Sequence, residues 1–243
     1  MLREARMRGS PRIVDGFRMR GRDVTRLESF SDAVFGFALT LLVVSLEVPK
    51  NFDQLIETMR GFLAFAVCFA ILAMIWNDHY IFCRRFGLQD GFVRALTCVL
   101  LFIVLLYVYP LKFLFNLFIN GMILRGARGQ LTLAQGTTLF VIYGLGFAAI
   151  YFALTALYLH AYRRRGELEL TPLETLDTRW EIYGMLCHAT VAVASVVIAL
   201  TQKFGNLPGF IYLSLFVVMW IHGRMHKNCR RRLIEQSAPA LSE

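Results

Sequence analysis

The chain is predicted to be an all-α integral membrane protein with six transmembrane helices and both termini cytoplasmic. Three observations predict this. Apolar residues make up 57% of the 243 positions and the mean hydropathy is +0.54, beyond the roughly half that a soluble domain carries. Six stretches each offer the ~20 predominantly apolar residues that one crossing needs. Lys and Arg alternate from one side of these stretches to the other.

The spans are expected over 27–48, 58–83, 93–115, 133–162, 179–202 and 207–226. The first places a carboxylate, Asp32, inside an apolar helix, close to its start. The second ends in Trp76-Asn77-Asp78-His79-Tyr80 ahead of Arg84 and Arg85. The third contains Tyr107-Val108-Tyr109-Pro110, a proline kink, with Lys112 snorkelling toward the outer interface. The fourth exceeds one crossing, so its end at Tyr162-Arg163-Arg164-Arg165 projects into water, and Gly144-x-x-x-Ala148 within it reads as close helix packing. A short, acidic and polar linker, 166–178, leads to the fifth. The sixth runs into a basic C-terminal end.

Orientation follows from the basic residues. The N-terminal arm carries eight arginines, from Arg3 to Arg26. The second connection has Arg84, Arg85 and Arg94, the fourth Arg163, Arg164, Arg165 and Arg179, and the C-terminus Arg224, Lys227, Arg230, Arg231 and Arg232. The other connections hold only scattered Lys50, Arg60, Arg125, Arg128 and Lys203. By the positive-inside rule both ends are cytoplasmic, which requires an even number of spans. The expected organisation is a basic arm over 1–26, lying disordered or on anionic headgroups, a six-helix domain over 27–226 and a cytoplasmic tail over 227–243. The arm has no apolar run of its own, so a cleaved signal peptide is not expected.

Composition and motifs exclude several classes. The net charge of +9 sits at span ends, so it reports topology and not nucleic-acid binding. The five cysteines lie in spans or at their basic ends and read as reduced thiols. There is no internal repeat of the transporter kind, no Thr-Val-Gly-Tyr-Gly run to present carbonyls and no arginine-every-third-residue sensor helix. His222-x-x-x-His226 has metal-ligand spacing, but Arg224 and Lys227 flank it, so a basic helix end is the simpler reading. His79, His160 and His188 form no recognisable haem pair. No cofactor, metal or catalytic constellation is expected.

The first helix carries the functional signal. At 100° per residue Phe37, Leu41, Val44 and Val48 form a narrow apolar stripe, and Asp32 lies almost opposite. Glu28, one turn before Asp32, has the same sign, and Arg26 lies on the other face, so a partner for Asp32 must come from another helix. A network of Arg26, Ser31, Asp32, Trp76 and His79 near the cytoplasmic side is expected.

Arg26, three residues, then Phe30-Ser31-Asp32, with Thr40 eight residues after the aspartate, resembles the signature first helix of the endolysosomal potassium channel family, the transmembrane protein 175 type. Trp76-x-x-His79 resembles that family too, and the six-span layout extends the likeness over most of the chain. The resemblance implies a potassium-preferring cation channel in the cell membrane, with one six-helix unit per chain in a homotetramer and apolar side chains of the first helices as its narrowest points. Carried onto this sequence, the pore positions are Phe37, Leu41 and Val44, with Thr40 beside them, while Arg26, Phe30, Ser31 and Asp32 hold the helix in place. The family usually has isoleucine or leucine where this chain has Phe37, so four phenyl rings would make a bulkier constriction. A competing expectation is a non-conducting relative, or a proton-coupled transporter using Asp32 and His79.

Overall fold

Three threonines, each three residues ahead of a Glu or Gln, open three helices of this chain. Thr25 Oγ1 accepts from the Glu28 N–H at 3.1 Å while the Glu28 carboxylate accepts from the Thr25 N–H. The same reciprocal capping box joins Thr132 to Gln135 and Thr171 to Glu174. Each pair satisfies two backbone donors that a helix start otherwise leaves open. The structure, a computed structural model, describes residues 13–44, 50–60, 62–122, 132–202 and 207–237.

The elements are β1 (Ile13–Val14), β2 (Phe17–Arg18), α1 (Arg26–Val44), α2 (Phe52–Arg60), α3 (Phe62–Phe86), α4 (Gly91–Met122), α5 (Leu133–Arg163), α6 (Pro172–Leu200), α7 (Leu207–Phe210), a 3-10 turn (Ile211–Leu213) and α8 (Ser214–Ser237). Among the described residues four helices are long and apolar enough to cross a membrane: α3, α4 over Gly91–Phe115, α5 and α6. α1 packs on α3 and α4, α5 lies between α4 and α6, and α8 packs on α6. The core runs through these contacts, with Leu72, Leu100, Ile150 and Leu154 fully buried. Gly144 lets α5 approach α6, because a Cβ there would collide with Val196 and press on the Ala192 carbonyl.

Several expected boundaries move, each for a local reason. The fifth span begins at Pro172 instead of 179. Thr171 caps it and Pro172 occupies the first turn, where a missing N–H costs nothing, so the acidic stretch 172–178 is a helix start and not a linker. The third reaches Met122. The expected sixth span corresponds to α7, the 3-10 turn and α8, which continues to Ser237 and is not one of the four candidate crossings, so 227–237 of the expected tail is helix. Val48 and the rest of 45–49 lie outside the described residues.

The arm also departs from expectation, because residues 13–25 pack against the bundle. A tight turn joins antiparallel β1 and β2, pairing Ile13 with Arg18 and Val14 with Phe17. Phe17 is buried edge-on against Phe86, ring centroids 5.7 Å apart. Beyond it Gly21 N–H donates to the Arg84 carbonyl at 3.0 Å. A side chain at 21 would strike the Cys83 carbonyl, so glycine is required for this approach.

Glu174 closes the arrangement. It is 1% exposed and accepts from the Arg18 backbone N–H at 2.7 Å, from Arg20 at 2.7 and 3.2 Å and from the Thr171 N–H at 2.9 Å. Arg20 in turn donates to the Leu168 carbonyl at 2.9 Å. Glu174→Ala strands this guanidinium and removes a helix cap, with an expected cost on the order of 3 kcal/mol. Thermal melting in detergent measures it. Glu174→Gln, which keeps the cap acceptor, should fall between the two, and Arg20→Ala added to Glu174→Ala should cost less than the sum.

Candidate functional site: the first helix and the ionic belt at its base

α1 has two unlike faces. Ser31, Phe35, Ala38 and Leu42 recur at helical spacing and are at most 2% exposed. On the opposite side Phe30 and Phe37 are exposed, Phe37 by 68%, and Thr40 is exposed beside them. Leu41 is half-buried against the core, at the edge of the open face. The side chain of Val44 lies outside the described residues. Thr40 Oγ1 donates back to the Phe37 carbonyl at 2.8 Å, which commits its hydrogen and leaves its oxygen free to accept.

Of the five residues expected in one network, the structure brings two into direct contact. Trp76 Nε1 donates to Asp32 Oδ1 at 2.8 Å, and the indole stacks on Tyr80 with centroids 5.5 Å apart. Ser31 instead donates to its own helix, at the Leu27 carbonyl 2.8 Å away. His79, buried, has Nε2 3.4 Å from Thr97 Oγ1 and Cys83 Sγ 3.9 Å from its ring nitrogens. Arg26 is exposed. Asp32 and His79 share no hydrogen bond, so the shortest link of a proton relay between them is not assembled.

The residue that anchors the base of α1 is one the sequence argument set aside. Glu28, 4% exposed, caps the helix and takes Arg84 of α3 at 3.1 Å. It reads as a repulsive neighbour of Asp32 when only the helix surface is considered. Thr25-x-x-Glu28 is the signal that locates it. Arg84 also donates to the Gly21 carbonyl at 3.1 Å and lies over the Tyr80 ring at 5.4 Å.

This pair belongs to a belt. Arg20 meets Glu174, Arg85 meets Glu181 at 2.8 Å, His160 and Arg164 meet Asp90, each at 2.8 Å, and His226 meets Asp177 at 2.7 Å. Among the described residues every ion pair lies at this one end of the bundle. The His222/His226 spacing is explained by the same belt. His222 Nε2 is 2.9 Å from the Trp180 carbonyl and His226 stacks on the Trp180 ring, so the two histidines dock α8 on α6. No group of three metal-ligating side chains occurs among the described residues.

Comparison with known proteins follows the same helices. The family model for the endosomal/lysosomal potassium channel TMEM175 matches residues 26–107, from the first residue of α1 into α4. A potassium channel of Marivirga tractuosa is 38% identical over 232 residues, 90% of this chain and 94% of that protein. This chain belongs to the TMEM175 family. A crystal structure of a variant of the potassium channel MtTMEM175, in complex with a nanobody–MBP fusion protein, superposes with a TM-score of 0.78 at 36% identity, covering 89% of this chain and 99% of that one. A potassium channel of Chamaesiphon minutus is 35% identical over 63 residues, 23% of this chain and 31% of that protein. With its apolar helices, this TMEM175 member is a multi-pass membrane protein.

The belt makes a pH prediction at Asp90, in the turn between α3 and α4. Burial alone pushes its carboxyl up, but the Val93 N–H at 3.0 Å, His160 and Arg164 outweigh it and hold the carboxyl below its ordinary value. A depressed folded value gives stability that is fully present above the unfolded carboxylate range, about 3.9, and lost as pH falls through the folded value. Melting temperatures in an acid series should therefore drop below about pH 4. Asp90→Asn should melt lower at neutral pH and lose less on acidification.

Proposed function

We propose that this chain is a potassium-preferring cation channel of the cell membrane, assembled as a homotetramer whose four α1 helices line a central pore. Each chain crosses six times with both termini and the ionic belt on the cytoplasmic side. The observation that carries the reading is the face of α1 that its own protomer leaves open, centred on Phe30, Phe37 and Thr40. Phe37 is 68% exposed although the opposite face of the same helix is fully buried. The relatives named potassium channels and the superposition on MtTMEM175 support it.

The mechanism follows from an apolar constriction. Rings at Phe37, with Leu41 and Val44 beyond, narrow the path and disfavour water, so a hydrated cation crosses only when the ring of side chains widens. The phenyl faces offer a weak cation attraction in place of carbonyl ligands. Thr40 supplies a side-chain oxygen next to the stripe. Ser31, Asp32, Trp76 and His79 hold the helix and do not touch the ion, while Arg26 and Phe30 are exposed at its start. The 1–26 segment, the 27–226 channel domain and the 227–243 tail divide the work into anchoring, conduction and docking. Membrane lipid surrounds the outer helices.

Phe37→Ala should raise cation flux several-fold in liposomes at matched amounts of folded protein, because removing the rings leaves a continuous water path. Unchanged flux would remove Phe37 from the pore. Thr40→Val keeps the shape and deletes the oxygen, so reversal potentials under bi-ionic conditions should show a reduced preference for potassium over sodium with the oligomer intact. An identical ratio in both proteins would make Thr40 a packing residue.

A further inference from the structure

α1 packs on α3 and α4, whereas a separate feature lies on the flank formed by α5, α6 and α8. There, at the belt end, a pocket of about 460 Å³ opens between the α5–α6 junction and α8. Its wall is mostly apolar, from Leu170, Pro172, Leu176 and Leu233 together with Thr175, and its rim carries Arg165 and Arg179. Several cations at this end are answered by carboxylates, Arg20 by Glu174, Arg85 by Glu181 and Arg164 by Asp90 and Glu167. Among the described residues Arg165 and Arg179 have no carboxylate partner. Arg165 lies 5.0 Å over the Tyr162 ring and donates to the Tyr162 carbonyl at 3.3 Å, and Arg179 donates to the Tyr183 hydroxyl at 3.4 Å. Both arginines are exposed.

Two uncompensated guanidiniums above an apolar wall match one ligand chemistry: a phosphate with hydrocarbon attached. Guanidinium pairs phosphate through paired N–H donors. Tyr162 and Tyr183, which the two arginines touch, are side chains that favour the membrane–water boundary. We propose that this pocket binds the headgroup of an anionic membrane phospholipid, with Arg165 and Arg179 on the phosphate and Leu170, Leu176 and Leu233 against the first carbons of the acyl chains. The cytoplasmic placement of this end rests on the topology given under Proposed function. Lipid occupancy clamps α8 to the α5–α6 junction from outside, where the His226–Asp177 pair clamps it from within.

The test uses the full-length protein and reads lipid, not ion flux, so it stands apart from conduction. Native mass spectrometry after delipidation counts retained phosphatidylglycerol against phosphatidylcholine, and thermal melting records the stabilisation each lipid gives. The parent should retain phosphatidylglycerol preferentially and melt higher with it. R165Q/R179Q should retain about tenfold less, as expected for the loss of two surface charges facing an anionic lipid, and should melt like the parent in phosphatidylcholine. R165K/R179K should keep much of the preference. R231Q/R232Q, which removes the same charge from exposed positions on α8, should leave retention unchanged. Equal loss in R231Q/R232Q, equal retention of both lipids by the parent, or the same stabilisation from inorganic phosphate alone would each overturn the proposal.

Discussion

Charge is expensive inside a bilayer, and the described residues of this chain meet that cost by gathering their ion pairs at one end. Glu174 is the centre of that arrangement. It caps α6, receives the backbone of β2 and the guanidinium of Arg20, and so joins the N-terminal arm to the α5–α6 junction. Arg84 then joins the arm to α1 through Glu28, and His226 joins α8 to α6 through Asp177. Each helix end at this side is held to at least one other by a charged contact. The apolar lengths of the helices are joined mainly by packing, with small residues such as Gly144 setting close approach, and by isolated hydrogen bonds such as Leu114 N–H to the Tyr143 hydroxyl at 3.0 Å.

The base of α1 is therefore firm, and its far portion is met by a cation from another helix. At the base, Glu28 and Asp32 take Arg84 and Trp76 of α3. Farther along, Lys112 of α4 donates to the Leu42 carbonyl at 3.1 Å. Between these two fixed points the helix buries Phe35 and Ala38 and leaves Phe37 and Thr40 open. A helix held at two points with one apolar face uncovered is a suitable pore wall, because it presents a defined surface without needing a loop or a filter to hold it.

The family and the helical membrane character were legible in the sequence because both are written in local patterns: apolar runs of spanning length and the Arg26/Phe30-Ser31-Asp32 spacing. The Asp32–Trp76 contact joins two residues of those same motifs. Contacts made across long sequence separations were harder to read. Glu174 meets Arg18 and Arg20 some 150 residues away, and nothing in the arginine-rich arm distinguishes Arg20 from its neighbours. The hairpin was masked for the same reason, since Phe17 is one apolar residue in a polar stretch and its burial depends on Phe86. Glu28 was misread because the wheel reports only its own helix, whereas its partners are a cap and a neighbour. The acidic stretch before the fifth span looked like a linker on composition, although Thr171-Pro172-x-Glu174 carries a complete helix-start signal.

The central claim is that the open face of α1 looks across a symmetry axis at copies of itself and at water. The most direct measurement places a single cysteine there, Phe37→Cys, in a chain whose five native cysteines are replaced by serine, and reconstitutes it for flux. The account predicts that mild oxidation yields covalent dimers on denaturing gels, and that a water-soluble, membrane-impermeant thiol reagent blocks cation flux. A cysteine that forms no dimer, reacts only with a membrane-partitioning reagent and leaves flux unaffected would put this face against lipid and contradict the account.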